Sequence, residues 1–336
     1  MLSRLLGRIF ILITIYLFLC ALIFSISYIS LTKNKFIDLP GFRAIQKNLY
    51  WELFVKTWQN KSDCVTFDKD LIYVPKIGSC KHENAEFKTV LNFTRNGRLM
   101  PQIVNENFKP ILILGDSHAM GWGVNDDETF SYILQNLLKI PVYNLAVSSY
   151  GTVREVIRLE KSELLENSEI IIIQYHETDL KENKHFHELK KEEYANVFTN
   201  MTGLEKNTYK IIKKIVRRYK SSLRLIFLDI TGALNRKIKT LDFEPHYEPL
   251  VVNLKKIKNF EQKKIIVFYS SSPTLRFYNF PKGFDKNFPN IYFYDFYNDG
   301  FGESSYYYLD RHPNKKGHQE IAKALDKILR SSFLNK

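Results

Sequence analysis

From Pro110 onward short apolar runs alternate with stretches of helical period, and this alternation constrains the fold more than any other feature of the chain. Ile111–Leu114, Val142–Leu145, Ile170–Ile173, Leu223–Leu228 and Lys264–Tyr269 read as buried strands. Helical patterns lie between them near 128–139, 151–166, 203–220 and 249–262. A last one, 315–331, places Ile321, Leu325 and Ile328 on one face. Strands alternating with helices imply parallel pairing with helices on both sides of the sheet. Strands apolar throughout fit a sheet covered on both faces. In such sheets the working site lies beyond the carboxyl ends of the strands.

The amino-terminal segment is of another kind. Ile9 to Thr32 carries no charged side chain, and Ile9–Phe24 is apolar apart from Thr14, Tyr16 and Cys20. At about 1.5 Å per residue, about 20 residues cross the hydrocarbon core, so this stretch is long enough to span it. Arg4 and Arg8 before it favour a cytoplasmic amino end, although Lys33 and Lys35 weaken the asymmetry. A cleaved signal peptide, with Ser25-Ile26-Ser27 as its small-residue site, is the alternative. Either way the remainder is exported, as a single-pass membrane protein with its domain in the periplasm or outside the cell, or as a secreted one. The expected organisation is a membrane anchor or signal segment at 1–35, an irregular extension at 36–108 and a catalytic domain at 109–336.

Export changes the meaning of the cysteines. Cys64 and Cys80 would lie in an oxidising compartment, where a pair so spaced is expected to form a disulfide, the alternative being two separate buried thiols. The formal net charge of +13 is compatible with nucleic acid, an anionic membrane face or an acidic polymer. It is spread along the chain, and no nucleic-acid module is visible, so no nucleic-acid partner is expected. His185 and His187 lack a third ligand at useful spacing, so neither a metal nor another cofactor is expected. Lys- and Glu-rich 181–202 reads as a solvated insertion near the site.

Directly after the first strand stands Gly115-Asp116-Ser117-His118. A Ser at a strand-to-helix turn exposes its hydroxyl, and its N–H lies near the positive end of the helix. Near the carboxyl end, Asp310-Arg311-His312-Pro313-Asn314 precedes the last helix. A Ser nucleophile needs a base, and the base needs an acid to orient it. His312 and Asp310 supply both from one loop.

These blocks resemble those of the SGNH/GDSL hydrolase superfamily over about residues 110–332. Gly115-Asp116-Ser117 matches the first block, Asn144 to Gly151 looks like the second, and Tyr175 to Leu180 looks like the third. Asp310 to Asn314 resembles the fifth, with one residue between acid and base rather than the commoner two. The resemblance implies a three-layer αβα, flavodoxin-like domain with a parallel sheet. It also implies Ser117 as nucleophile, His312 as base and Asp310 as the orienting acid.

The oxyanion hole implied by the resemblance comprises Ser117, Ser149 and Thr178. Family members usually have Gly where Ser149 stands and Asn where Thr178 stands, and His176 and Asn183 are nearby substitutes. His118 is a candidate substrate contact. Tyr292, Tyr294, Tyr297 and Tyr306–Tyr308 read as packing or as a wall for a sugar ring. The expected activity is a serine esterase acting on an O-acyl, above all O-acetyl, ester of an envelope sugar. An O-acyltransferase and a degenerate glycan-binding domain are the alternatives.

Overall fold

The computed structural model describes residues 2–101, 108–203, 208–232, 238–270, 274–296 and 301–334. The chain opens with helix α1 (Leu2–Thr32) and α2 (Phe42–Leu49). Five strands follow: β1 (Val65–Asp68), β2 (Ile72–Pro75), β3 (Gly78–Glu83), β4 (Lys88–Thr94) and β5 (Gly97–Arg98). The alternating region then runs β6 (Ile111–Leu114), α3 (Ser117–Met120), α4 (Phe130–Leu138), β7 (Val142–Asn144), α5 (Thr152–Glu160), β8 (Ile170–Tyr175), α6 (Asp179–Glu188) and α7 (Tyr194–Thr202). After α8 (Thr208–Ile230) come β9 (Lys239–Asp242), α9 (Glu244–Leu254), β10 (Lys264–Tyr269), β11 (Leu275–Tyr278), β12 (Gly283–Phe284), β13 (Ile291–Asp295) and α10 (Lys315–Leu329).

The central sheet has the order β12-β13-β10-β8-β6-β7-β5-β4-β3. Its middle, β13-β10-β8-β6-β7, is parallel throughout. Numbered among themselves, these five strands lie in the order 2-1-3-4-5 of flavodoxin-like folds. Alternate side chains enter opposite layers. Ile111, Ile113, Ile170 and Ile172 meet Phe130 and Leu134 of α4 and Ile321 and Leu325 of α10. Leu112, Leu114, Ile171 and Ile173 meet Val156 and Leu159 of α5 and Leu250 and Leu254 of α9. Both faces are therefore dry, which explains strands with no polar alternation.

One strand was misplaced by the pattern. Leu223–Leu228 is the last part of α8 and not a strand, and β13 fills the place beside β10. No Gly or Pro interrupts 208–230, and Ile215, Tyr219, Ser222, Leu223 and Ile226 form a helical stripe turned towards α1 and α2. The segment 181–202 is likewise more than a solvated insertion. It forms most of α6 and α7, and Phe186 and Tyr194 enter the core.

The described part of 36–108, read as irregular, holds α2, a β1–β2 hairpin and three antiparallel strands. Those strands lengthen the sheet through the Arg98–Asn144 pairing of β5 with β7. Their short strands and half-exposed faces leave no sustained period to read. Cys64 and Cys80 form a disulfide with a Cα–Cα distance of 5.2 Å, tying the start of the hairpin to β3.

Candidate active site

The carboxyl edge of the parallel sheet gathers loops from distant parts of the chain. Gly115 leaves β6 at φ +145°, and a Cβ there would lie 2.7 Å from Ala119 Cβ and 2.8 Å from Gln174 Oε1, so only Gly fits. Asp116 caps α3, its carboxylate accepting from the N–H of His118 at 2.8 Å. Gln174 of β8 accepts from the N–H groups of Asp116 and Ala119, both at 3.2 Å. Ser117 is the first residue of α3, where a backbone N–H has no partner within the helix.

Across this edge, His312 Nε2 lies 2.7 Å from Ser117 Oγ, and His312 Nδ1 lies 2.5 Å from Asp310 Oδ1. The Asp310 side chain is 1% exposed and that of His312 13%. Nδ1 facing a carboxylate carries the proton, which leaves Nε2 to accept from the Ser hydroxyl. The one-residue spacing of acid and base has a backbone cost. Arg311 sits at φ +68°, a left-handed conformation costing about 1–2 kcal/mol in a non-Gly residue. The loop closes through Tyr307 N–H to His312 O and the Tyr306–Pro313 bridge, and Asn314 caps α10.

The extension supplies contacts that the sequence did not disclose. The Tyr50 hydroxyl donates to Asp310 Oδ2. Burial, then the charges of Asp310 and Glu86, push the phenol far above its ordinary value, so it stays a donor. Glu86 accepts from the N–H groups of Tyr308, Leu309 and Asp310 at 2.8, 2.6 and 2.9 Å. Burial raises its carboxyl to about 7 in spite of those donors. Arg98, fully buried, pairs with Asp126 at 2.5 Å and donates to the carbonyls of Met120, Gly121 and Val124, fixing the chain just beyond Ser117. Trp122 from that turn stacks on His312, centroids 4.9 Å apart at 16°, and His82 packs edge-on against Trp122. Nothing in the sequence marks these residues, because each acts through a partner far along the chain.

The candidate oxyanion residues lie on neighbouring loops. Ser149, after β7, has φ +60°, which accounts for the Gly usual at this place in the family it resembles. Gln59 braces it, donating to Ser149 Oγ at 2.7 Å and accepting from Ser148 Oγ at 3.1 Å, and Arg154 donates to Ser149 O. Thr178, after β8, is exposed, and its hydroxyl lies 2.8 Å from His176 Nδ1. The Thr178 N–H donates to the same nitrogen at 3.2 Å, so the His176 proton sits on Nε2, 3.3 Å from Glu177 Oε2. Asn183 is engaged elsewhere, its Oδ1 accepting from Val153 N–H at the start of α5.

His118 does not face open solvent as a substrate contact would. It is 5% exposed, with Nδ1 3.1 Å from Ser270 Oγ and its ring between those of His312 and His176 at 4.8 and 4.9 Å. Burial drives its pKa well down, and its ring packs against that of the base His312. The described tyrosines also turn inward. Tyr306 is buried, Tyr307 donates to Gly123 O, Tyr308 stacks on Phe36 and Tyr292 packs on Phe333. Tyr297 lies outside the described residues.

No family model matches the chain, and no curated protein matches it. Among solved structures it is similar to a lipolytic protein of the G-D-S-L family from Desulfitobacterium hafniense DCB-2, at 11% identity over 66% of this chain and 99% of that one, TM-score 0.33. It is also similar to a family two carbohydrate esterase from Clostridium thermocellum in complex with cellohexaose, at 12% identity over 70% and 66%, TM-score 0.34. A GDSL-like lipase from Bacteroides thetaiotaomicron VPI-5482 matches at 10% identity over 67% and 89%, TM-score 0.31.

Proposed function

We propose that the chain is an exported, membrane-anchored serine esterase of SGNH type, working through an acyl-Ser117 intermediate on an O-acyl ester of an envelope sugar. The observation that carries the reading is the Asp310–His312–Ser117 relay at the carboxyl edge of the sheet, with its acid held by Tyr50. His312 Nε2 takes the hydroxyl proton as Ser117 Oγ attacks the ester carbonyl. Asp310 stabilises the imidazolium without taking its proton. The oxyanion meets the N–H groups of Ser117 and Ser149, with the Thr178 hydroxyl as a third donor once it turns from His176. The imidazolium returns its proton to the departing alkoxide, and water activated by the same nitrogen releases the acid. A sugar hydroxyl in place of that water makes the enzyme an O-acyltransferase.

A cavity of about 140 Å³ borders Ser149 and is lined by Gln59, Tyr73, Arg154 and Phe186. The test is labelling of the full chain with a fluorophosphonate, followed by hydrolysis of an acetylated glycan with and without a second glycan as acceptor. Labelling at Ser117 with acetate release is expected. Acceptor-dependent transfer selects the transferase, and no labelling leaves a degenerate, glycan-binding domain.

A further inference from the structure

The anchor and the domain overlap in a way that fixes how the domain sits. α1 is exposed from Arg4 to Leu19, and the first buried residue after Arg4 is Cys20. From there Cys20, Phe24 and Leu31 pack into a cluster with Ile45 and Leu49 of α2 and Ile226 of α8. The contact with α8 begins earlier still. The Tyr16 hydroxyl donates to Leu223 O at 3.2 Å, and Phe24 meets the Tyr219 ring at 5.1 Å. Measured from Ile9, the uncharged stretch before Cys20 supplies only ~16 Å of helix, against the ~30 Å of a hydrocarbon core. The missing length, about nine residues, must come from the part of α1 already covered by α2 and α8.

We propose that α8 is an interfacial helix, seated in the leaflet on the domain side with Phe227 and Ile230 among the lipid chains. Both are more than half exposed, at 57% and 58%. Ile230 and Ile23 of the anchor flank Gly41, where a Cβ would lie 3.5 Å from the one and 3.7 Å from the other, so this face continues the lipid-facing surface of α1. Ile23 stands ~8 Å inside the outer boundary of the core when Ile9 marks the inner one, a depth typical of helices lying in a membrane surface. The charges of α8 suit the same level. Lys213 is exposed, where a long basic side chain reaches lipid phosphates, Arg217 and Arg218 pair with Glu52 on the domain side, and the Asp229 carboxylate turns to the Gly41 N–H. Leu309, next to Asp310, belongs to the same cluster, so the seat and the relay share one packed unit.

This inference rests on the reading of α1 as an uncleaved anchor, and its test separates the two. In full-length protein carrying Cys20→Ser, with the Cys64–Cys80 disulfide intact, single cysteines Leu12→Cys, Phe227→Cys, Ile230→Cys and Val252→Cys are labelled with bimane. The proteins are placed in phosphatidylglycerol/phosphatidylcholine vesicles containing chain-brominated lipid. Leu12 lies in the exposed part of α1, and Val252 is a half-exposed apolar residue of α9. Loss of fluorescence at 12, 227 and 230, with none at 252, is expected. Loss at 12 alone overturns the seat and leaves the anchor standing. No loss at 12 overturns the anchor and the seat with it, and equal loss at all four positions shows no seat at α8. Phe227 and Ile230 test the same face, so misfolding of one variant does not remove the test.

Discussion

Asp310 is the most constrained group of the relay, since its two oxygens are divided between His312 and Tyr50 and its backbone N–H is held by Glu86. A carboxylate that can turn no longer orients the imidazole, so Tyr50 acts as a positioning residue. Tyr50→Phe keeps the ring and removes one hydrogen bond, and it is expected to lower kcat about 10-fold with KM unchanged. A rise in KM at constant kcat would place Tyr50 in substrate binding. At the oxyanion site, Thr178→Val should lower kcat for a small aryl ester about 10-fold or more, a loss that reaches about 10²–10³ where a full oxyanion donor is removed. Thr178→Asn should retain or raise it, because an amide there need not leave His176. If the Val variant is as active as the parent, Thr178 takes no part.

At the scale of elements, the N-terminal strands do for the site what the parallel sheet alone does not. Arg98 on β5 spans from Asp126 to the carbonyls after α3, and Gln59 and Glu86 reach the loop after β7 and the His312 loop. Breaking a buried ion pair costs about 3–5 kcal/mol, so Arg98→Met should lower the denaturant midpoint strongly. The double variant Arg98→Met with Asp126→Leu should recover part of that loss, because no lone buried charge remains. A double variant less stable than the single would show that the hydrogen bonds to Met120, Gly121 and Val124 dominate. The contrast with what the sequence discloses is physical. Ser117, His312 and the apolar strands were legible because each follows a local rule: a turn after a strand, a loop before a helix, a dry face. Tyr50, Glu86 and Arg98 follow none, being defined by partners on other elements. The strand assigned at 223–228 failed because a short apolar run fits a helix as well as a strand, and only the packing of α8 on α1 decides.

At the scale of the whole molecule, buried histidines are expected to weaken the fold in acid. His82 is fully buried, neither ring nitrogen has a hydrogen-bond partner, and it packs between Phe87 and Trp122. Burial lowers it to about 3, with the nearby Lys61 charge acting in the same sense. Below about pH 6.5 the unfolded chain takes a proton that the folded ring refuses. Its stabilising neutral form is thus fully effective above about 6.5, and stability is lost as pH falls from there towards about 3. His82→Phe, similar in volume, should make the fall of Tm with acid shallower over that window. An unchanged slope would assign the acid response to other groups, among them His318, which is also held at about 3 by burial.

The central claim is that Ser117 and His312 work as one unit, and kcat/KM for p-nitrophenyl acetate in Ser117→Ala, His312→Ala and the double variant tests it most directly. Each single change should remove nearly all turnover, and the double variant should lose little more, since residues acting in one step are strongly non-additive. Full activity in Ser117→Ala, or losses that multiply in the double variant, would contradict the account.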